Sequence, residues 1–297
     1  MQGQQDAFVD EQGRLVLPAE VAARYGLRPG ETAALTTETG GLTVRRAASS
    51  LAKLYIEPTN ICNLACRTCV RNIWDESLGR MDEATFAAIL AGLEQFTPRP
   101  SVFFGGFGEP LSHPRILDMV ARVKALGCYA EMITNGTLLT EARARDLIDL
   151  GLDRLWVSLD GARPESYTDV RLGAALPMVL KNVQQFSDLR APRLPRRPEL
   201  GIAFVAMRRN IADLPAVLSL GATLGASQYL VTNVMPYTAE MRSELLYTRA
   251  LNDIAYLPSP WTPHLDLPRM DFNEVTAPVL YQAMRSNRSI TFSGATL

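Results

Sequence analysis

Three closely spaced cysteines are the residues of this chain whose spacing most clearly predicts chemistry. Cys62, Cys66 and Cys69 have the spacing C-x3-C-x2-C, and the chain of 297 residues has four cysteines in all. A disulfide between two of them would leave the third unpaired, and a structural zinc site needs a fourth ligand that the neighbouring sequence does not offer. Three thiolates suit an iron–sulfur cubane in which one iron has no protein ligand. The spacing therefore predicts a cluster with one open iron.

Three further stretches of small and polar residues follow predicted strands. The stretch 105–110, Gly-Gly-Phe-Gly-Glu-Pro, follows the second strand of the repeating region, where glycines admit a ligand close to the backbone and Glu109 can pair with an ammonium group. The stretch 134–136, Thr-Asn-Gly, follows the third strand, and 158–161, Ser-Leu-Asp-Gly, follows the fourth. Each stretch alone is typical of a turn or a helix cap. Because all of them lie at the strand ends that carry the cysteines, we predict one shared site.

The elements that position these residues alternate between strand and helix over the predicted domain 51–235. Apolar runs predict strands at 54–57, 102–104, 129–134, 155–159, 202–207 and 229–233. Apolar residues at helical spacing predict helices at 82–96, 114–126, 141–150, 176–189 and 213–224. Such alternation indicates a parallel sheet covered by helices. We predict an α/β fold, a partial (βα)6 TIM-like barrel whose functional residues gather at the carboxyl ends of the strands.

A small, mainly β module is predicted for residues 1–50, with two hairpins around a short helix that begins near Pro18. The string 13–31 resembles the swapped-hairpin domain of AbrB- and MazE-like transcription factors, which implies an intertwined homodimer and often DNA binding. Residues 6–46 carry five arginines against six acidic residues, so the positive charge that phosphate binding requires is missing. We expect a structural, dimerising or substrate-docking role for this module, and no nucleic-acid binding.

The composition excludes several classes of protein. The chain has 30 basic and 31 acidic residues, which gives no bulk charge for binding nucleic acid or a membrane surface. Its hydrophobic share of 47% is that of an ordinary globular protein. The sequence contains neither a recognisable export signal nor an apolar run of about 20 residues. We therefore expect a soluble cytoplasmic protein without a membrane span.

The ordered motifs of residues 54–233 resemble those of the radical S-adenosyl-L-methionine (SAM) superfamily. Cys62, Cys66 and Cys69 match its cysteine loop, and 105–110 matches its Gly-Gly-Glu-Pro motif with one residue inserted. The resemblance implies that the three cysteines hold a [4Fe–4S] cluster whose fourth iron binds the amino and carboxylate groups of SAM. It also implies that an electron donor such as ferredoxin or flavodoxin drives cleavage of SAM to a 5′-deoxyadenosyl radical, which takes hydrogen from a substrate.

The resemblance further assigns residues to parts of SAM. It implies that Gly106, Gly108 and Glu109 hold the ammonium group. The hydroxyl groups of Thr134 and Ser158 are expected to hydrogen-bond the methionyl part.

Two more assignments and one departure concern the rest of the SAM molecule. The resemblance places Asp160 near the ribose, Arg171 near the carboxylate and the sixth strand near the adenine. The residue before the third cluster cysteine is often aromatic in this family and packs on the adenine, whereas this chain has Thr68. We expect weaker packing on the adenine from that position, without an effect on cluster ligation.

A second departure lies toward the C-terminus. The third- and fourth-strand motifs resemble those of the branch that continues into a cysteine-rich SPASM domain with auxiliary clusters, yet no cysteine follows Cys128. We expect 236–297 to be an irregular extension that connects to such a domain beyond Leu297; the alternative is a member of the branch that does without this domain. Cys128 itself is expected to be a small buried hydrophobic residue.

Three functions remain open from the sequence. The run 54–60 and the stretch 71–75 resemble a subgroup named for modifying the cofactor of tungsten-containing aldehyde ferredoxin oxidoreductases, which implies an oxidoreductase in tungsto- or molybdopterin cofactor biosynthesis. The alternative is a peptide-modifying maturase in which residues 7–46 dock a leader peptide by strand addition. A third possibility is an AbrB-like DNA-binding regulator with a non-catalytic barrel. The expected partners are accordingly a small-molecule cofactor precursor or a peptide.

Overall fold

Two compact units make up the chain. The computed structural model describes residues 7–24, 33–38, 41–46, 51–246, 270–286 and 288–293. One unit comprises Met1–Ala52 with Phe96–Pro98, and the other comprises Lys53–Gln95 with Arg99–Leu297.

The first unit contains two antiparallel hairpins and a short helix. Its elements in chain order are β1 (Phe8–Val9), β2 (Leu15–Val16), α1 (Ala19–Arg24), β3 (Ala33–Glu38) and β4 (Gly41–Arg46). β1 pairs with β2, and β3 pairs with β4. The Asp10 carboxylate closes the first turn because it accepts hydrogen bonds from the N–H groups of Gln12 at 3.0 Å and Arg14 at 2.9 Å. These elements lie where the sequence predicts them, and the likeness to the swapped-hairpin family stays a prediction.

Seven parallel strands form the sheet of the second unit, in the order β11-β10-β9-β8-β7-β6-β5. Their bounds are β5 (Lys53–Ile56), β6 (Ser101–Phe104), β7 (Ala130–Thr134), β8 (Arg154–Ser158), β9 (Glu199–Ala206), β10 (Gln228–Asn233) and β11 (Ile290–Ser293). Every neighbouring pair is parallel. Each strand lies beside the next strand of the chain, as in a TIM-like barrel. The predicted partial α/β barrel is confirmed.

Helices connect the strands. Their bounds are α2 (Glu83–Leu93), α3 (Ile116–Ala125), α4 (Glu141–Asp149), α5 (Pro164–Val170), α6 (Leu176–Arg190), α7 (Leu214–Thr223), α8 (Ala239–Ser243) and α9 (Thr276–Arg285). The Asp82 side chain caps α2 by accepting a hydrogen bond from the Thr85 N–H at 2.7 Å, and the Thr140 hydroxyl caps α4 in the same way. Within the described residues, no helix has the length and apolar character needed to cross a membrane.

The two faces of the sheet differ because strand residues alternate between them. Val102 and Phe104 of β6 and Met132 of β7 are fully buried in a continuous core that includes apolar residues of the helices. Their neighbours Tyr55 and Phe103 lie outside that core and contact each other, with ring centroids 5.2 Å apart. The helix-covered face thus supplies the core, and the carboxyl ends of the strands are left to carry the site.

The C-terminal region is more regular than the sequence predicts. The predicted irregular extension 236–297 contains α8, α9 and β11, and β11 adds a seventh strand to the six predicted. β11 reads Ile-Thr-Phe-Ser and has no two consecutive apolar residues, so the sequence does not show it as a buried strand of the parallel sheet. The stretch 256–268, which has prolines at four positions within that predicted extension, lies outside the described residues.

Candidate functional site

The cysteine loop begins just after β5, at the carboxyl edge of the sheet. Cys62 and Cys69 are partly buried, Cys66 is buried, and all three are free thiols. The backbone N–H of Ala65 donates to the Leu172 carbonyl at 3.2 Å, which ties the loop to the segment after α5. The loop therefore has a defined shape built from protein contacts.

Polar groups approach two of the sulfur atoms. The Leu64 N–H donates to Cys62 Sγ at 3.4 Å, and the Asn135 amide donates to the same sulfur at 3.7 Å. Arg171 Nη1 lies 3.9 Å from Cys66 Sγ. Burial raises the pKa of the Cys62 and Cys66 thiols above the ordinary value. Both thiols must lose a proton when they bind metal, so metal binding here releases protons.

The donor set fits a cluster better than a single ion. In the described part of the chain, no group of three or more His, Cys, Asp or Glu side chains is arranged to hold one metal ion. Ligands of a cubane bind different irons, so they need not converge on one point. The three thiols line one cleft, and the sulfur atoms of Cys62 and Cys66 receive N–H donors, which is how protein surroundings stabilise cluster sulfur ligands.

The glycine-rich turn after β6 is held from below by Glu57. Glu57 Oε1 accepts the Phe107 N–H at 2.5 Å and the Gly108 N–H at 3.4 Å. Gly106 has a φ of +144°, and a Cβ there would lie 2.5 Å from Glu57 Oε1. A Cβ on Gly108 would lie 1.9 Å from the Thr59 carbonyl oxygen. Both positions therefore require glycine, and the turn presents bare backbone to the cleft.

Glu109 connects two turns of the site. Its side chain is 2% exposed. It accepts hydrogen bonds from Leu111 N at 3.1 Å, Thr134 Oγ1 at 2.7 Å and Asn135 N at 2.8 Å. Burial raises the pKa of Glu109, and these three donors offset part of that effect. The carboxylate retains capacity for one further donor, such as an ammonium group, while the Thr134 hydroxyl proton is already committed.

Asp160 and Arg171 form a buried ion pair. Arg171 Nε and Nη2 each lie 2.6 Å from Asp160 Oδ2, and Val205 N donates to Asp160 Oδ1 at 2.7 Å. Burial lowers the pKa of Arg171, but Asp160 and neighbouring groups outweigh that effect and raise it. Arg171 lines the cleft, whereas Asp160 is fully buried behind it and is not among the described residues that line the cleft. Asp160 thus orients Arg171, and its predicted contact with ribose stays a prediction.

One cleft of ≈ 690 Å³, including its part open to solvent, brings most of these residues together. Nine of the ten predicted site residues line it: Cys62, Cys66, Cys69, Gly106, Gly108, Glu109, Thr134, Ser158 and Arg171. Thr68 also lines it.

The sequence interpretation missed three residues of the site. Glu57 supports the glycine-rich turn, Asn135 contacts Cys62, and Phe107 lines the cleft. The Phe107 ring packs edge-on against Trp74, with centroids 5.2 Å apart. Asn135 and Phe107 stand inside motifs that were already singled out, so their proximity was visible. The role of Glu57 depends on the fold of a turn 50 residues later and leaves no local signal.

Comparisons with known proteins agree with this arrangement. Residues 56–194 match the model of the Radical SAM superfamily. The chain is 34% identical over 200 residues to the tungsten-containing aldehyde ferredoxin oxidoreductase cofactor-modifying protein of Pyrococcus furiosus. This alignment covers 67% of this chain and 56% of that protein. It is 26% identical over 185 residues to the PqqA peptide cyclase of Gluconobacter oxydans, with 62% of this chain and 49% of that one covered. The chain thus spans about half the length of these curated relatives.

A solved structure shows the same fold. Streptococcus suis SuiB bound to its precursor peptide SuiA superposes with a TM-score of 0.61 at 16% identity, over 83% of this chain and 49% of that one.

Proposed function

Because residues 56–194 form a radical SAM domain, we propose that this chain is a radical SAM enzyme of tungsto- or molybdopterin cofactor maturation. The observation that carries the chemistry is the convergence of three thiols, a bare glycine-rich turn and Arg171 on one cleft. The substrate is supported by the 34% identity to a protein that modifies the cofactor of a tungsten enzyme.

A radical SAM domain implies a [4Fe–4S] cluster and SAM, and the residues of the cleft fit both. Cys62, Cys66 and Cys69 would hold the cluster. When bound, the two groups supply a 5′-deoxyadenosyl radical that removes a hydrogen atom from the substrate.

The residues of the cleft would bind SAM and orient it. The bare backbone at Gly106 and Gly108 admits the amino-acid part of SAM, and Glu109 offers an acceptor to its ammonium group. Arg171 has its Nε and Nη2 committed to Asp160, so its Nη1 is directed to the cleft beside Cys66 as a donor for a carboxylate. Ser158 adds a hydroxyl group to the wall. Phe107, backed by Trp74, covers one side of the mouth and limits the access of water.

A peptide substrate is the second candidate. The identity of 26% to a PqqA peptide cyclase and the fold shared with SuiB favour it. In this case the hairpins of residues 7–46 would dock the leader segment of a precursor peptide by strand addition.

Labelled substrates separate the two candidates. The chain is reconstituted anaerobically, reduced, and given SAM with either a deuterated pterin precursor or a deuterated peptide encoded beside it in the genome. We expect deuterium to enter 5′-deoxyadenosine with the pterin precursor alone, as measured by mass spectrometry. Transfer from the peptide alone would establish the second candidate, and transfer from neither would reject both substrate classes.

Three partner and location proposals accompany the function. An electron donor such as ferredoxin or flavodoxin would reduce the cluster, and the four free cysteines suit a reducing, cytoplasmic compartment.

The N-terminal unit would form a homodimer, since Phe8, Val9, Leu35 and Leu42 expose apolar surface on both hairpins. Light scattering on the full chain and on a variant lacking residues 1–50 tests the dimer: the first should have twice its monomer mass, and the second should be monomeric.

A further inference from the structure

Outside the cleft, four charged side chains close a ring of alternating charge beside the cysteine loop. Arg67 Nη2 lies 3.4 Å from Asp169 Oδ1, and Arg67 Nη1 lies 3.4 Å from Glu240 Oε1. Arg209 Nη1 lies 3.0 Å from Asp169 Oδ2, and Arg209 Nη2 lies 2.8 Å from Glu240 Oε1. These four residues, which we name the Arg67–Arg209 ring, come from the cysteine loop, α5, the loop after β9, and α8.

Arg209 is the better anchored arginine of the ring. Its Nε and Nη2 also contact Glu244 Oε1 at 2.9 and 2.8 Å, and its backbone N–H donates to Glu244 Oε2 at 2.9 Å. The Arg209 side chain is 24% exposed and that of Glu244 is 11% exposed. Because these contacts fix Arg209 to the end of α8, it presents a rigid guanidinium fork to the two ring carboxylates.

Arg67 transmits this anchoring to the cysteines. It directly follows Cys66, and its backbone N–H donates to the Val170 carbonyl at 3.0 Å. Its Nε donates to the Asp169 carbonyl at 2.6 Å. The stretch between Cys66 and Cys69 is thus tied to α5 and α8 through one arginine.

The opposite side of the loop has its own attachment. Asn63 receives a hydrogen bond from the Asn135 amide at 3.0 Å and donates one to Thr137 at 2.8 Å. This attachment leads to the turn after β7. The second half of the loop is held by the Arg67–Arg209 ring and, independently, by the Asn72 amide, which donates to the Cys66 carbonyl at 2.7 Å.

Loss of Arg209 would remove its ion pairs and would also leave the ring carboxylates with one arginine. Asp169 and Glu240 would then share Arg67 alone, with Glu244 nearby as a third carboxylate. Exposed ion pairs contribute little to global stability one by one, so the expected consequence is local movement of the loop and not unfolding.

We propose that Arg209 is a positioning residue: by closing the ring it holds Arg67, and with it Cys66 and Cys69, in the arrangement that a cluster requires. The proposal rests on the proposed function insofar as the cysteines are taken as cluster ligands.

The first test uses the cluster-free chain. Alkylation of Cys66 by iodoacetamide is followed by peptide mass spectrometry. Cys128, which is 1% exposed and lies two residues before β7, is the internal reporter of global opening. We expect Arg209→Ala to raise the Cys66 rate about tenfold and to leave the Cys128 rate unchanged. Arg209→Lys keeps the positive charge but not the guanidinium fork, so its Cys66 alkylation rate should lie between those of wild type and Arg209→Ala. An unchanged Cys66 rate, or equal acceleration at both cysteines, would overturn the proposal.

A matched control and a double variant make the test specific. Arg122 on α3 also contacts two carboxylates, Glu83 at 2.8 Å and Asp118 at 3.7 Å, and is 32% exposed. Arg122→Ala should leave the Cys66 rate unchanged. Arg67→Ala combined with Arg209→Ala should be no faster than Arg67→Ala alone, because both act through one ring. Additive effects would show that the two arginines act separately and would contradict the proposal.

The reconstituted chain gives the second readout. The electron paramagnetic resonance spectrum of the reduced cluster should broaden in Arg209→Ala and sharpen again in Arg209→Lys, and a chelator should remove iron several times faster from the alanine variant. A wild-type spectrum and iron-release rate in Arg209→Ala would refute the positioning role. If wild type binds iron but does not cleave SAM, the proposed function fails while both readouts still decide the role of Arg209.

Discussion

Replacement of Gly108 by alanine is a small change that should disable the cleft. The added Cβ would lie 1.9 Å from the Thr59 carbonyl oxygen and 2.6 Å from the Thr59 carbonyl carbon. Because both are backbone atoms, no rotamer change relieves the clash. The separation must grow from 1.9 Å to at least 3.0 Å, so the glycine-rich turn and the segment before the cysteine loop must move apart by about 1 Å.

The energetic cost follows from what that movement breaks. Overpacking of a fixed backbone typically costs about 1–3 kcal/mol. The hydrogen bond from Glu109 N to the Ile61 carbonyl at 2.9 Å and that from Phe107 N to Glu57 at 2.5 Å span the same gap. Each of the two lost bonds adds about 1 kcal/mol, so we expect the free energy of unfolding to fall by about 3–5 kcal/mol. Because Ile61 directly precedes Cys62, the same movement displaces the cysteine loop relative to the glycine-rich turn. The two walls of the cleft are then misplaced for SAM, so its affinity should fall at least about tenfold.

Urea denaturation and equilibrium dialysis with SAM measure the two effects. Gly92→Ala is the matched control, because Gly92 lies in α2 with open space at its Cβ position. That change should raise the free energy of unfolding by about 0.5–1 kcal/mol and leave SAM affinity unchanged. A Gly108→Ala variant with wild-type stability and wild-type SAM affinity would refute the assigned geometry of the turn.

Three further changes follow from individual contacts. Glu57→Ala removes the acceptor of the Phe107 N–H and should weaken SAM binding about tenfold without changing iron content; equal binding in dialysis would show that the turn does not need Glu57. Asp160→Asn leaves the Arg171 guanidinium buried without its carboxylate and should lower the free energy of unfolding in urea by about 3–5 kcal/mol, whereas Glu141→Gln at the exposed pair with Arg145 should cost less than about 1 kcal/mol. The Tyr167 hydroxyl is buried without a hydrogen-bond partner among the described residues, and burial raises its pKa from 10.0 to about 12. An unpartnered buried hydroxyl group costs free energy, so Tyr167→Phe should raise the free energy of unfolding by about 1 kcal/mol at neutral pH. The raised pKa has a separate consequence: the folded chain resists ionisation of Tyr167, so stability that is present below pH 10 is lost as the pH rises toward about 12, and alkaline urea titrations should show a smaller loss in the phenylalanine variant.

The chemistry of the site could be predicted from the sequence because its signals are local. Cys62, Cys66 and Cys69 stand within one loop, and Gly106 and Gly108 stand within one turn. Their convergence followed from a general property of parallel sheets, in which loops after successive strands meet at one edge. The partial barrel was predictable for the same reason, since each of the six predicted strands and five predicted helices carries its own apolar pattern.

The contacts that support the site could not be predicted, because they join distant positions. Glu57 accepts hydrogen bonds from a turn 50 residues later, and the Asp160 carboxylate accepts from Arg171, eleven positions further along the chain. A carboxylate in a sequence does not show which cation it will face after folding. The four-residue strand β11 was missed because its neighbour β10, and not its own sequence, determines its pairing.

The central claim is that the three-cysteine cleft holds the cluster that cleaves SAM. The most direct measurement compares wild type, Cys66→Ala and Cys128→Ala after anaerobic reconstitution and reduction, with iron content and 5′-deoxyadenosine quantified in each. We expect about four irons and 5′-deoxyadenosine in wild type and in Cys128→Ala, and loss of both in Cys66→Ala. Formation of 5′-deoxyadenosine by Cys66→Ala at the wild-type rate would contradict the account.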